Sequence, residues 1–159
     1  MPTATPLFDA NASAGGRDLG DLPEWDLSDL YAAPDAPELK RDMDWLEKAC
    51  ADFASDYQGK LADLDAAGWR DCIARYERID MVGGRIMSYA GLRYYQQTTD
   101  AGRAAFLSDC QDKITGYTTP LVFFSLEVNR IPDETLDAVF DADAEVARYK
   151  PVFERLRAM

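Results

Sequence analysis

The chain has 159 residues, enough for one domain whose core needs no disulfides. Its 17 Lys and Arg stand against 29 Asp and Glu, a formal net charge of -12. That balance leaves no basic stripe for nucleic-acid phosphates and disfavours anionic lipid. There is no histidine, so an imidazole general base or a zinc site with imidazole ligands cannot be built from these residues.

No apolar run approaches the length of a membrane span, and the start lacks the basic-then-apolar order of a signal peptide. Cys50, Cys72 and Cys110 lie far apart without CxxC spacing, each on an apolar helical position. They read as small buried hydrophobes in a reducing, cytoplasmic compartment.

Residues 1–20, rich in Ala, Gly, Pro, Ser and Thr, read as a flexible leader. Residues 21–36 form a docking strap around the string LPEWDLSDLY (22–31). Its apolar members Trp25, Leu27, Leu30 and Tyr31 are expected to pack on the helical body or on a part of the protein outside these residues. Asp26 or Ser28 can cap one short turn, and Pro34 and Pro37 end or redirect it. The remainder, 37–159, reads as one helical domain.

Pro37 sits where a helix begins, with Asp35 as a candidate cap. Leu39, Met43, Leu46, Cys50, Phe53 and Tyr57 then recur at steps of four and three, and Gly59 closes the pattern. A second helix is predicted from about Asp65 to Gln97 on the stripe Trp69, Ile73, Tyr76, Ile79, Val82, Ile86, Tyr89 and Leu92. Gly83-Gly84 falls in its middle and predicts a close helix crossing or a bend, with a turn between two helices as the alternative. Thr98 or Thr99 is the expected cap of a third helix carrying Phe106, Cys110, Ile114, Tyr117, Leu121, Phe124 and Val128. Pro120 should kink it, unless Thr118 or Thr119 caps a fresh helix there. Ile131-Pro132-Asp133 punctuates, and a short helix with Leu136, Val139 and Phe140 follows. The last segment holds Val146, Tyr149, Val152, Phe153 and Leu156, with Pro151 marking a step between two short helices. RLRAM stops in mid-pattern with no Gly or Asn cap, as a piece of a longer chain would. Strand patterns are nearly absent. The expected architecture is all-α, three long antiparallel helices with shorter C-terminal ones packed at one end.

Candidate chemistry is sparse. Asp42 and Asp44 with Glu47, or Glu77 with Asp80, could contribute carboxylates to a metal, but charges opposite an apolar stripe normally form a solvated face. A helical metal or cofactor carrier is therefore the weakest of the readings, and no catalytic or metal-ligating residue is assigned. SYAGLRYYQQTTD (88–100) concentrates tyrosines beside Arg93 and can line a peptide-binding wall. The packing alternative puts Tyr89 and Tyr95 in the core, with Tyr94 and Arg93 on the surface. LVFFSLEV (121–128) is apolar on more than one face. Its residues Leu121, Phe123, Phe124 and Leu126 are therefore a candidate interface with another part of the polypeptide, or with a second copy in a homodimer.

The strings LPEWDLSDLY, SYAGLRYYQQTTD, LVFFSLEVNRIPDETL and ARYKPVFERLR, in this order and spacing, resemble the N-terminal region of oligoendopeptidase F-type zinc peptidases, relatives of thimet oligopeptidase. The resemblance runs from Leu22 to Met159. It implies a helical N-terminal domain that forms one wall of a channel admitting short peptides, ahead of a catalytic domain of the same polypeptide. In that family zinc is held by a His-Glu-x-x-His helix and a further Glu. None of those residues can be carried over, so the implied zinc belongs to the full-length parent, and these residues alone should bind none and cleave nothing. The alternative is a free-standing acidic helical module that binds a protein partner.

Overall fold

The structure, a computed structural model, describes residues 24–158. The leader, strap residues 21–23 and Met159 lie outside the described residues. The described residues are all-α, with no strand among them.

Helix α1 spans Pro37–Tyr57 with proline in its first turn, where the missing N–H costs nothing. Asp35 does not cap it. The residue before the helix is Ala36, held extended at φ -59° and ψ 136° as pre-proline residues are, and no side chain bonds the first turn. All six residues of the expected stripe, from Leu39 to Tyr57, are buried. Gly59 closes the helix at φ +77°, a left-handed conformation that other residues adopt at a cost. Its N–H donates to Glu127 at 2.6 Å, and Lys60 Nζ donates to the carbonyls of Ser55 and Asp56, so the end of α1 is satisfied from both sides.

A 3-10 turn, Leu61–Asp63, buries Leu61 completely and leads into α2, Ala66–Gln96. Asp65 caps α2 by accepting from the Gly68 N–H at 2.7 Å. With 31 residues the helix is about 46 Å long, and it runs unbroken through Gly83-Gly84. Gly83 faces α1, where an added Cβ would meet Leu46 Cδ2 at 3.7 Å, ordinary contact rather than a clash. An added Cβ on Gly84 meets nothing within 4 Å. An interior glycine costs about 1 kcal/mol relative to alanine. Gly84→Ala is therefore expected to raise unfolding free energy by about 0.5–1 kcal/mol in a denaturant melt; a loss of stability would mean the backbone there is not the regular helix described.

Helix α3 is Ala101–Thr118, and its cap is Asp100, not Thr98 or Thr99. A turn closed by Asp100 N–H on the Gln97 carbonyl brings the Asp100 carboxylate to the Arg103 N–H at 3.0 Å. That bond holds the Asp100 pKa below 3.8. Of α3 only Cys110 is fully buried, while Phe106, Ile114 and Tyr117 are half-buried, so this helix lies at the edge of the core. At Pro120 the chain neither kinks a continuous helix nor caps a new one. One 3-10 turn, Thr119–Leu121, joins α3 to α4, Val122–Val128. Thr118 and Thr119 instead turn their hydroxyls back onto the carbonyls of Ile114 and Thr115, at 2.8 and 2.7 Å.

Three short helices complete the described residues: α5, Asp133–Ala142; α6, Ala144–Ala147; and α7, Lys150–Arg157, which carries Pro151 in its first turn. Asp143 caps α6 through the N–H groups of Glu145 and Val146 and pairs with Arg70 of α2. The Arg70 guanidinium, with those N–H groups, keeps its carboxyl below 3.8.

Helices α1, α2 and α3 touch one another pairwise, α5 and α6 rest on α2, and α4 packs against α7 and the Leu61 turn. The centre is aromatic. The Phe53 ring lies 4.8 Å from Tyr57, 5.6 Å from Tyr76, 6.0 Å from Phe123 and 5.9 Å from Phe124. A second cluster, Trp69 with Phe153 and Phe153 with Phe140, ties the last helices to α2.

Candidate functional site

The strap is seated by Tyr31, which is only 3% exposed. Its hydroxyl donates to Asp42 of α1 at 2.7 Å, and its ring meets Tyr89 of α2 edge-on at 5.4 Å. The Arg85 guanidinium lies 4.5 Å above the ring, donates to the Leu30 carbonyl and stands 3.6 Å from Asp42. Burial first, and then the Asp42 carboxylate, push the phenol pKa well above its ordinary 10.0. Asp26 caps the turn by accepting from the Ser28 N–H at 2.9 Å, and Leu27 and Leu30 pack half-buried on the core. The strap thus docks on the helical body through Leu27, Leu30 and Tyr31. Trp25 does not join them. It is 60% exposed, and its carbonyl accepts from Gln96 Nε2 at 2.7 Å.

The tyrosine string divides differently from the expected packing. Tyr89 is in the core and Tyr94 half-buried, but Tyr95 is 66% exposed. Six residues on from Tyr89, Tyr95 is turned about 240° around the helix axis and so leaves the buried face. Arg93 is half-buried, with its guanidinium 5.9 Å from the Phe106 ring, and its carbonyl accepts from Arg103. Trp25 and Tyr95 are thus exposed rings at the same end of α2.

Leu121, Phe123 and Phe124 are all buried, while Leu126 is 52% exposed. The second apolar face of 121–128 finds its cover within the described residues, because α4 packs against α7 and the Leu61 turn and sends its phenylalanines between α1 and α2. Phe123 and Phe124 both reach Phe53, and Phe124 stacks on Tyr76 at 4.6 Å. Of the four candidate interface residues, only Leu126 is left facing outward.

Spacing alone did not mark a groove between α2 on one side and α3, α4 and α7 on the other. Two adjoining hollows of about 490 and 230 Å³ share Tyr76, Asp80, Phe124 and Leu156 as lining. Val122 and Val152, 58% and 50% exposed, stand along it. The signal that could have pointed there is Gly83-Gly84 in the middle of α2, since both glycines line the larger hollow. A hollow of about 410 Å³ on the α1 side of α2 is instead lined by Trp45, Lys48, Arg75 and Arg78. Two of its cations are already engaged, Lys48 with Asp52 and Arg75 with Asp56, and Arg78 lies over the Trp45 ring.

Among the described residues no group of three His, Cys, Asp or Glu side chains is placed to share a metal ion. The three thiols are buried singly and that burial raises their pKa values, Cys72 to about 12, so each is kept protonated rather than poised as a thiolate ligand. No helix among the described residues is long and apolar enough to cross a membrane. No family model, no curated protein and no solved structure matches the chain.

Proposed function

We propose that these residues are the N-terminal helical domain of a zinc-dependent oligoendopeptidase of the oligoendopeptidase F type, a cytoplasmic enzyme that hydrolyses short peptides. In this reading they form part of the wall of its substrate channel. The observation that carries it is the ordered set of four strings, from LPEWDLSDLY to ARYKPVFERLR. Their places in the fold support it: the first is built onto α1 and α2 by Tyr31, the second ends α2, the third forms α4 and enters α5, and the last leaves α6 and forms α7. Exposed Trp25 and Tyr95 supply the amphipathic rings suited to a wall against which peptides slide. The zinc, its ligands and the general base are assigned to the catalytic domain.

The expected result is a reading frame that continues past Met159 into a His-Glu-x-x-His sequence. Its intact product should hydrolyse oligopeptides, lose that activity to a chelator and regain it with zinc. A frame with no such motif sinks the proposal. One observation favours a second reading, a free-standing acidic interaction module: Glu77 and Asp80 stand beside an apolar groove without an ion-pair partner among the described residues. A stop codon directly after Met159 would select it.

A further inference from the structure

The groove beside Gly84 has the length, floor and charge of a helix-binding site, whichever reading of the whole protein holds. Its α2 wall runs from Ile73 to Met87, about 21 Å or four helical turns. Along that wall Ile73, Tyr76, Asp80, Gly83, Gly84 and Met87 form one stripe at helical spacing. The floor is apolar, made by the Tyr76 and Phe124 stack, with Val122 and Val152 exposed along it. At Gly84 the backbone is bare toward the groove, so an incoming helix can approach there more closely than a side chain would allow. The charge along it has one sign. Glu77 and Asp80 line the groove, no Lys or Arg does, and neither acid has a basic partner within ion-pair distance among the described residues. Two carboxylates with no cation beside them, flanking uncovered apolar surface, call for cations on the occupant.

We propose that this groove binds an amphipathic helix whose apolar stripe is flanked by Lys or Arg, with a small residue of that helix seated over Gly84. The apolar stripe covers Tyr76, Phe124, Val122 and Val152, and the flanking cations meet Glu77 and Asp80. Helix-in-groove recognition of this kind draws its affinity from the apolar anchors and its choice of partner from the rim charges.

The test uses the full chain and two dye-labelled synthetic helical peptides of about 18 residues, a length at which helices begin to persist in water. Both carry the same Leu and Ala stripe, one flanked by Lys and the other by Glu, and fluorescence anisotropy reads binding. The Lys-flanked peptide should bind at least about tenfold more tightly than its Glu counterpart, and raised salt should shrink the difference. Asp80→Lys should weaken the Lys-flanked peptide by about tenfold. Asp112→Lys makes the same charge change at an exposed α3 position outside the groove, and should leave binding within about threefold. Gly84→Leu, which fills open space rather than the core, should abolish binding while the helical circular dichroism and melting curve stay intact. Equal weakening by Asp80→Lys and Asp112→Lys would reduce the effect to net charge and overturn the proposal, as would tight binding by the Gly84→Leu protein. Self-association that Gly84→Leu abolishes would assign the groove to a second copy instead.

Discussion

Replacing Tyr31 by alanine is expected to cost about 3–5 kcal/mol of unfolding free energy, the range for removing a buried aromatic ring. The ring is 3% exposed, sits edge-on to Tyr89 and beneath Arg85, and its hydroxyl satisfies Asp42. Without it the half-buried Asp42 carboxylate keeps only Arg85, at 3.6 Å, and the Arg85 bond to the Leu30 carbonyl loses the strap that positions it. Tyr31→Phe isolates the hydroxyl and its bond to the Asp42 carboxylate, and should cost about 1.5–3 kcal/mol. Trp25→Ala, in the same strap but 60% exposed, should change stability by no more than about 0.5 kcal/mol. Urea melts followed by far-ultraviolet circular dichroism give all three values. If Trp25→Ala proved as costly as Tyr31→Ala, the strap would be docked by the tryptophan and the geometry described above would be wrong.

Alkaline pH is expected to unfold the protein cooperatively, while the neutral range should leave stability nearly flat. With no histidine, no side chain of ordinary pKa titrates between about pH 5 and 8. The thiols of Cys50, Cys72 and Cys110 have values above their ordinary 9.0 because burial disfavours the thiolate. Burial likewise raises the phenols of Tyr31, Tyr57, Tyr76 and Tyr89 above 10.0, Tyr57 to about 12 with help from its bond to Asp71. A group whose folded value is raised contributes stability in full below its unfolded value and loses it as pH climbs toward the folded one. The window is therefore pH 9 to 12. Each pH unit across that gap is worth about 1.4 kcal/mol per group, so Cys72, raised from 9.0 to about 12, can withdraw up to about 4 kcal/mol. Against a total of about 5–15 kcal/mol that is a large fraction. Melts at fixed pH steps under a reductant should show the fall, and Cys72→Ala should flatten it. An unchanged slope in that variant would place the loss elsewhere. On the acid side Asp100 and Asp143 lie below 3.8, held by the Arg103 N–H and by Arg70, so their contributions vanish only as pH drops beneath about 4.

The helix stripes were legible because burial repeats with the helical period. In α1 each of Leu39, Met43, Leu46, Cys50, Phe53 and Tyr57 is buried, as steps of four and three require. Proline punctuation was legible for the same local reason. Pro37 opens α1, and Pro132 and Pro151 mark the starts of α5 and α7. Caps were less so. Asp65 sits at the expected opening of α2, but Asp100 rather than a threonine caps α3, since the choice depends on a turn three residues wide. The candidate interface illustrates a different loss of information. Leu121, Phe123 and Phe124 were known to need a cover, yet a stripe in one helix does not say which element supplies it. Of the groove beside Gly84 the chain showed only the Gly83-Gly84 pair, because its walls come from α2, α3, α4 and α7, elements far apart in sequence.

From sequence alone came the all-α class, the apolar stripes and the chemistry excluded by 159 residues without a histidine. These depend on residue type and on spacing within one helix, both of which are written locally. Tertiary structure alone decided that Tyr31 holds the strap while Trp25 stays outside, that α4 is covered by Phe53 and Tyr76, and that Glu77 and Asp80 flank an open apolar groove. Those are relations between elements far apart in the chain, set by how helices of unequal length pack, and no periodicity within a single helix encodes them.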